Sequence, residues 1–234
     1  TVNNLTSIDQ TTDTCTNNYA TIDVLSTNLF DPATTVFSEG NLKHVAGTSA
    51  NYNGLWRSNI GVNSGKWYAE FKLGSHSTTS GHSFGIYREN VGFNATGGDL
   101  PTSDLIRIVF ADSSRYVQKF GTIVQTGLGS TSSGDIFGIY MDIDNGKLSV
   151  QKNGSDYITQ ITGMTTAGYT WFFHTQGEVA ATRNLTFEHN YGNPSFSISS
   201  GNADPNGYGN FEFSTTHSSV DYFALNTKNL AEYG

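Results

Sequence analysis

Gly134-Asp135-Ile136-Phe137-Gly138-Ile139-Tyr140-Met141-Asp142-Ile143-Asp144-Asn145-Gly146-Lys147-Leu148-Ser149-Val150-Gln151-Lys152-Asn153-Gly154 reads as two strands and two turns. The run from Ile136 to Ile143 is dense in β-branched and aromatic residues, which suit a pleated, packed surface. Phe137, Ile139, Met141 and Ile143 share one parity and are all apolar, so they form one core face at period two. Ile136, Gly138, Tyr140 and Asp142 occupy the other parity. Asp144-Asn145-Gly146 then turns the chain, because Asn-Gly tolerates the positive φ angles that a tight hairpin needs. The return strand places Leu148 and Val150 on one face and Lys147, Ser149 and Gln151 on the other. Lys152-Asn153-Gly154 ends the unit. The stretch predicts a buried hairpin at the heart of an antiparallel sheet.

The flanking sequence extends this pattern. Trp67, Ala69, Phe71 and Leu73 alternate with Lys66, Tyr68, Glu70 and Lys72, which predicts a half-buried strand. Leu55 to Val62 is expected to pair with it as a hairpin around Asn63-Ser64-Gly65. His82 to Glu89 reads as a strand with a central Gly85. Leu105 to Ala111 and Arg115 to Phe120 read as a pair, and Thr170 to Gln176 and Asn184 to His189 as the last two long strands. Upstream, Val36, Phe37 and Leu42 are expected in the core around a Glu39-Gly40-Asn41 turn. Gly121 to Ser133 reads as a Gly/Thr/Ser loop. No window keeps a 3.6-residue period, so very little helix is expected.

Composition agrees with an all-β chain. Aromatics make up 13% of the residues and charged side chains only 14%, so hydroxyls and amides supply the polar surface. At 234 residues the chain can bury roughly 70% of its unfolded surface without disulfides or a structural metal. The single Cys15 has no partner within the chain. A net charge of −8 argues against a nucleic-acid partner, which calls for a basic patch. No apolar run is long enough for membrane insertion. Thr1–Phe30 reads as an N-terminal arm, 31–196 as the sandwich and 197–234 as a C-terminal extension dense in turn signals.

Four segments in order resemble the SPRY domain, a concanavalin-like β-sandwich. Gly65-Lys66-Trp67-Tyr68-Ala69-Glu70 is similar to its early GKWYWE strand, and Ser83-Phe84-Gly85-Ile86 to the strand with a glycine between apolar residues. The organising hairpin resembles the central one, and Asn190-Tyr191-Gly192-Asn193-Pro194-Ser195-Phe196 the late NFGQ-PF element. Both ends resemble SPRY-like proteins of tailed, often marine, phages. At the start, Thr12 to Thr21 leads into Phe37-Ser38-Glu39-Gly40-Asn41-Leu42. At the close stands Tyr222-Phe223-Ala224-Leu225-Asn226-Thr227-Lys228-Asn229-Leu230. Ala231 stands where that group usually has proline, and an insertion between Phe196 and Asp221 lengthens the approach.

No catalytic pattern stands out. Glu70, Asp99, Asp104 and Glu188 are the carboxylates to weigh as a glycosidase pair, but the E-x-D-x-x-E run of related glucanases is missing. Counted from Asp142, a calcium loop would need glycine at Lys147 and glutamate at Asn153, so that pattern fails. The six histidines, His44, His76, His82, His174, His189 and His217, show no ligand spacing and read as surface or strand polar positions. No cofactor or metal is expected.

SPRY domains bind through loops at one edge, which directs attention to Ser75–Gly81, Asn90–Ser103 and Gly121–Ser133. Tyr87, Arg88, Phe93, Arg115 and Tyr116 are the nearby candidates, since aromatic faces stack on sugars and arginine adds paired donors. The resemblance implies a non-enzymatic virion protein, a tail-fibre or surface-appendage component that binds a host glycan or protein. The alternative is a capsid decoration or head-fibre protein, with a polysaccharide-degrading enzyme behind both. It also implies a homo-oligomer, a trimer as in fibres, with other virion proteins as partners. Such a protein would be made in the host cytoplasm and placed on the particle surface.

Overall fold

In the computed structural model, which describes residues 14, 16–26, 35–46, 52–77, 81–89, 102–111, 115–179 and 185–234, with only the backbone at 52, 53, 178 and 179, the alternating segments form two large β-sheets. The first contains β1 (Val36–Ser38), β2 (Lys43–Val45), β4 (Lys66–His76), β9 (Ile136–Asp142), β10 (Lys147–Lys152), β11 (Ser155–Asp156) and β13 (Leu185–Asn190). Its order is β1-β2-β13-β4-β9-β10-β11, and β16 (Phe223–Ala224) joins β4 in parallel. The second contains β3 (Tyr52–Arg57), β5 (Ser83–Glu89), β6 (Leu105–Val109), β7 (Tyr116–Lys119), β8 (Thr122–Thr126) and β12 (Thr170–Val179), in the order β3-β12-β5-β6-β7-β8. A small hairpin, β14 (Thr216–His217) and β15 (Val220–Asp221), and a closing helix α1 (Thr227–Tyr233) complete the chain. The expected all-β antiparallel sandwich is what the chain adopts.

The core sits where the period-two pattern places it. Phe137, Ile139, Met141 and Ile143 are buried, and Phe71 meets Phe84, Phe173 and Phe187 edge-on at 6.2–6.4 Å. The central hairpin forms with Leu148 opposite Met141 and Val150 opposite Ile139. Its turn differs from the expected geometry. Only Gly146 takes a positive φ (61°), while the Asp142 carboxylate accepts bonds from the backbone and side-chain amides of Asn145. The paired positive φ angles occur instead at Asn153 (50°) and Gly154 (79°), which turn β10 into β11.

Four expectations are corrected. The segments 55–62 and 66–73 are not a hairpin: β3 pairs with β12, and β4 pairs with β9 and β13. Ser64-Gly65 carries the chain between the sheets, pinned by the Gly65 amide donating to Asp144 Oδ1 (2.7 Å) and the Trp67 indole donating to the Ser64 carbonyl (2.7 Å). Alternation marks a strand but does not say which sheet it joins. Within the expected loop 121–133, Thr122-Ile123-Val124-Gln125-Thr126 is the edge strand β8, entered through positive φ at Phe120 and Gly121. Val36 is exposed at the β1 edge rather than in the core. His44, His174 and His189 do lie on strands, but they and His82 are buried, so none of the four is a surface position.

The first sheet is also buried on its outer face, which the half-buried reading of β4 does not anticipate. The chain after Phe196 returns over it, and Tyr19, Tyr68, Tyr140, Phe211, Tyr222 and Ala224 form a second apolar cluster. Tyr68 lies 4.7 Å from the Tyr140 ring and 5.0 Å from that of Phe211. Gly138 makes room for it, since a Cβ there would stand 2.6 Å from the Tyr68 hydroxyl.

Two buried carboxylates tie the returning chain down. Glu70 Oε1 accepts from the Tyr68 hydroxyl (3.0 Å) and the Phe213 amide (2.8 Å), and Oε2 from Asn190 Nδ2 and the Glu212 amide, both at 3.0 Å. Burial raises the Glu70 pKa above its ordinary value, and these four hydrogen bonds oppose that rise. Asp204 accepts from the amides of Asn206, Tyr208 and Ala224 and from Asn229 Nδ2. Asn226 caps α1 by accepting from the Asn229 amide.

Candidate functional site

The candidate residues fall at two ends of the second sheet. Tyr87 pairs with Leu105 at one end of β6, and Tyr116 pairs with Val109 at the other. The two rungs are four residue steps apart along the strand, roughly 13 Å. Tyr87 is buried, and Arg88 sits between the rings of Phe120 (4.1 Å) and Tyr169 (4.2 Å) while pairing with Asp104 at 3.1 Å. Arg88 is therefore a packing clamp. Arg115 has φ 23° and a buried Nε without a hydrogen-bond partner, and Tyr116 is partly exposed beside it. Phe93 and Asp99 lie outside the described residues, as do residues 90–101 of the second candidate loop and 78–80 of the first. Cys15 lies outside them too.

Between those ends the structure places a set of polar groups that sequence reasoning did not single out. One rung across the outer face of the second sheet reads Arg57, His174, Gly85, Arg107, Gln118, Ile123. Gly85 has no side chain, and Arg107 uses the gap to cross β5. Its Nε donates to Gln118 Oε1 (2.8 Å) and its Nη1 to Gln176 Oε1 (3.3 Å), which also accepts from the Ser83 hydroxyl (3.1 Å). A Cβ at Gly85 would meet the Ile106 carbonyl oxygen at 2.1 Å and the Arg107 Cα at 3.1 Å, so glycine is required there. The available signal was Gly85 itself, together with a charged residue at the centre of the apolar run Leu105-Ile106-Arg107-Ile108-Val109.

The two arginines of this rung differ electrostatically. Arg57 is neutralised by Asp23 (3.2 Å) and Glu89 and lies 4.3 Å over the Phe172 ring. Arg107 has only the two neutral amides and no carboxylate at ion-pair distance among the described side chains, which do not include that of Glu178. His174, buried between them, has neither ring nitrogen hydrogen-bonded. Burial, and then the Arg107 charge, pull its pKa down to about 3, so it is neutral at ordinary pH. Arg107, Gln118 and Tyr116 are partly exposed, and Ile123 is 51% exposed.

The carboxylates weighed for catalysis have other work. Glu70 holds the returning chain, Asp104 pairs with Arg88 on the other sheet, and Glu188 lies 4.0 Å from Lys43. No group of three or more His, Cys, Asp or Glu side chains among the described residues could hold a metal ion. In the core, His44 Nδ1 and His189 Nε2 are 3.2 Å apart, and His189 Nδ1 is 3.0 Å from the Tyr191 hydroxyl. Burial lowers the His189 pKa to about 3 and that of His44 well below its usual value.

No protein-family model and no curated protein sequence matches the chain. Among solved structures it is similar to the SPRY domain of human HERC1, with 20% identity and a TM-score of 0.53 over 68% of this chain and 96% of that one. It is also similar to the PSpry domain of TRIM65, with 13% identity and a TM-score of 0.51 over 74% of this chain and 92% of that one. At such identities the likeness concerns fold alone: the chain has a SPRY-like β-sandwich fold.

Proposed function

We propose that the chain is a non-enzymatic adhesion protein of a tailed-phage particle, a tail-fibre or surface-appendage component that binds a host-surface glycan. One observation carries the binding reading. The outer face of the first sheet is sealed by the chain's own return, whereas the β6–β8 part of the second sheet leaves Arg107, Tyr116, Gln118 and Ile123 accessible. A partly exposed arginine held by two side-chain amides, beside a tyrosine and an aliphatic side chain, offers directional donors and an apolar contact together. The particle assignment is supported by the resemblance of Phe37–Leu42 and Tyr222–Leu230 to phage proteins. Several copies in a trimeric appendage would add weak contacts into firm attachment.

Immunogold labelling of intact particles, with competition of phage adsorption by the purified chain, tests this. Label on tail appendages and reduced adsorption are expected. Label confined to the head, with adsorption unchanged, overturns the reading in favour of capsid decoration.

A further inference from the structure

Resting on that reading, we infer that the Arg107 face takes an acidic saccharide, with the sugar carboxylate on the Arg107 guanidinium. A guanidinium carries five N–H donors, and two of them serve Gln118 and Gln176. Both Nη2 hydrogens and one Nη1 hydrogen remain, enough donors on two neighbouring nitrogens for the two oxygens of a carboxylate. The two amides hold the guanidinium plane in advance, so little side-chain freedom is lost on binding. In a chain of net charge −8, this cation has no carboxylate partner among the described side chains, which do not include that of Glu178, although Arg57 on the same rung has two.

The neighbours favour a sugar over an acidic peptide. Tyr116 stands one rung along on the same face, 7–8 Å away on the diagonal by the usual strand spacing, with a hydroxyl and a ring for the pyranose. Gln118 is partly exposed, and its amide is fixed by the Arg107 Nε on one side and the Gly121 carbonyl (3.0 Å) on the other. Ile123 ends the rung as a shallow apolar contact, whereas a peptide hot spot calls for a deep, well-packed pocket.

The test titrates the full chain with D-glucuronate, D-glucose and acetate, following the Arg107 Nε–H resonance by NMR. A saturable shift with glucuronate, at least tenfold weaker or missing with glucose and with acetate, is expected. Arg107→Gln should abolish it and Arg107→Lys weaken it at least tenfold, because lysine keeps the charge but loses the fork. Tyr116→Phe should weaken it a few-fold, with all melting curves retained. No saturable shift up to about 50 mM glucuronate, where a millimolar site is filled, overturns the inference. So does equal binding of glucose. If the purified chain still competes for adsorption while glucuronate does not bind, the adhesion reading stands and the acidic sugar falls.

Discussion

The two outer faces of this sandwich solve opposite problems with similar residues. On the first sheet, Tyr68, Glu70 and Tyr140 face outward, and the chain after Phe196 covers them until every Glu70 oxygen is matched to N–H and O–H donors. On the second sheet, Arg107, Gln118 and Tyr116 face outward, and the side-chain amides satisfy the arginine only in part. A buried charge must be fully bonded or it destabilises the fold, whereas an accessible one can wait for a ligand. The difference separates a structural face from a candidate binding face.

Removing residues 197–234 should break the comparison most severely. It strips the apolar cover from Tyr68 and Tyr140 and leaves a buried carboxylate without its Glu212 and Phe213 donors. Cooperative unfolding should be lost, read by calorimetry and near-ultraviolet circular dichroism. A truncated chain that melts cooperatively within a few degrees of the full one would show that the cover is dispensable.

Glu70→Gln is a finer break. The amide nitrogen cannot accept a hydrogen bond, so two of the four donors lose their partner. A loss of about 2–4 kcal/mol in denaturant unfolding is expected. Stability unchanged within about 0.5 kcal/mol would mean that Glu70 is already protonated in the fold.

Acid should act through the imidazoles. His44, His174 and His189 are buried and neutral, with folded pKa values depressed below the ordinary 6.5. The unfolded chain therefore binds more protons below that value. Their contribution is fully present above pH 6.5 and declines as pH falls toward about 3. At pH 5 His174 and His189 each lower the stability by about 2 kcal/mol, and His44 acts in the same direction. Glu70 runs the other way: its pKa is raised, so its contribution is present at low pH and is lost as pH rises through the folded value. His174→Leu should flatten the decline by one proton in unfolding curves taken from pH 7 to 4.5. An unchanged slope would reject His174 as a buried neutral group.

The smallest effect is expected on the open face. Arg107→Gln should shift unfolding by less than about 1 kcal/mol, because a partly exposed side chain bonded to neutral amides contributes little. A loss above 2 kcal/mol would make Arg107 a structural residue and erase the contrast between the faces.

Period-two alternation by itself determined most of the strands and the Phe137/Ile139/Met141/Ile143 core face, because side-chain direction along a strand is a local property, while the sandwich followed from the resemblance to SPRY domains. The glycines at 85 and 138 were visible too, although not what would lie over them. Only the tertiary structure decided that β3 and β4 part to different sheets, that Glu70 is buried beneath residues 212 and 213, and that four histidines lie inside. It also separated Tyr87 from Tyr116 and brought Arg107 across Gly85 to Gln176, a residue 69 positions away. Those facts depend on which strands become neighbours and which face the returning chain covers. Both are set by the packing of distant segments, which no local pattern encodes.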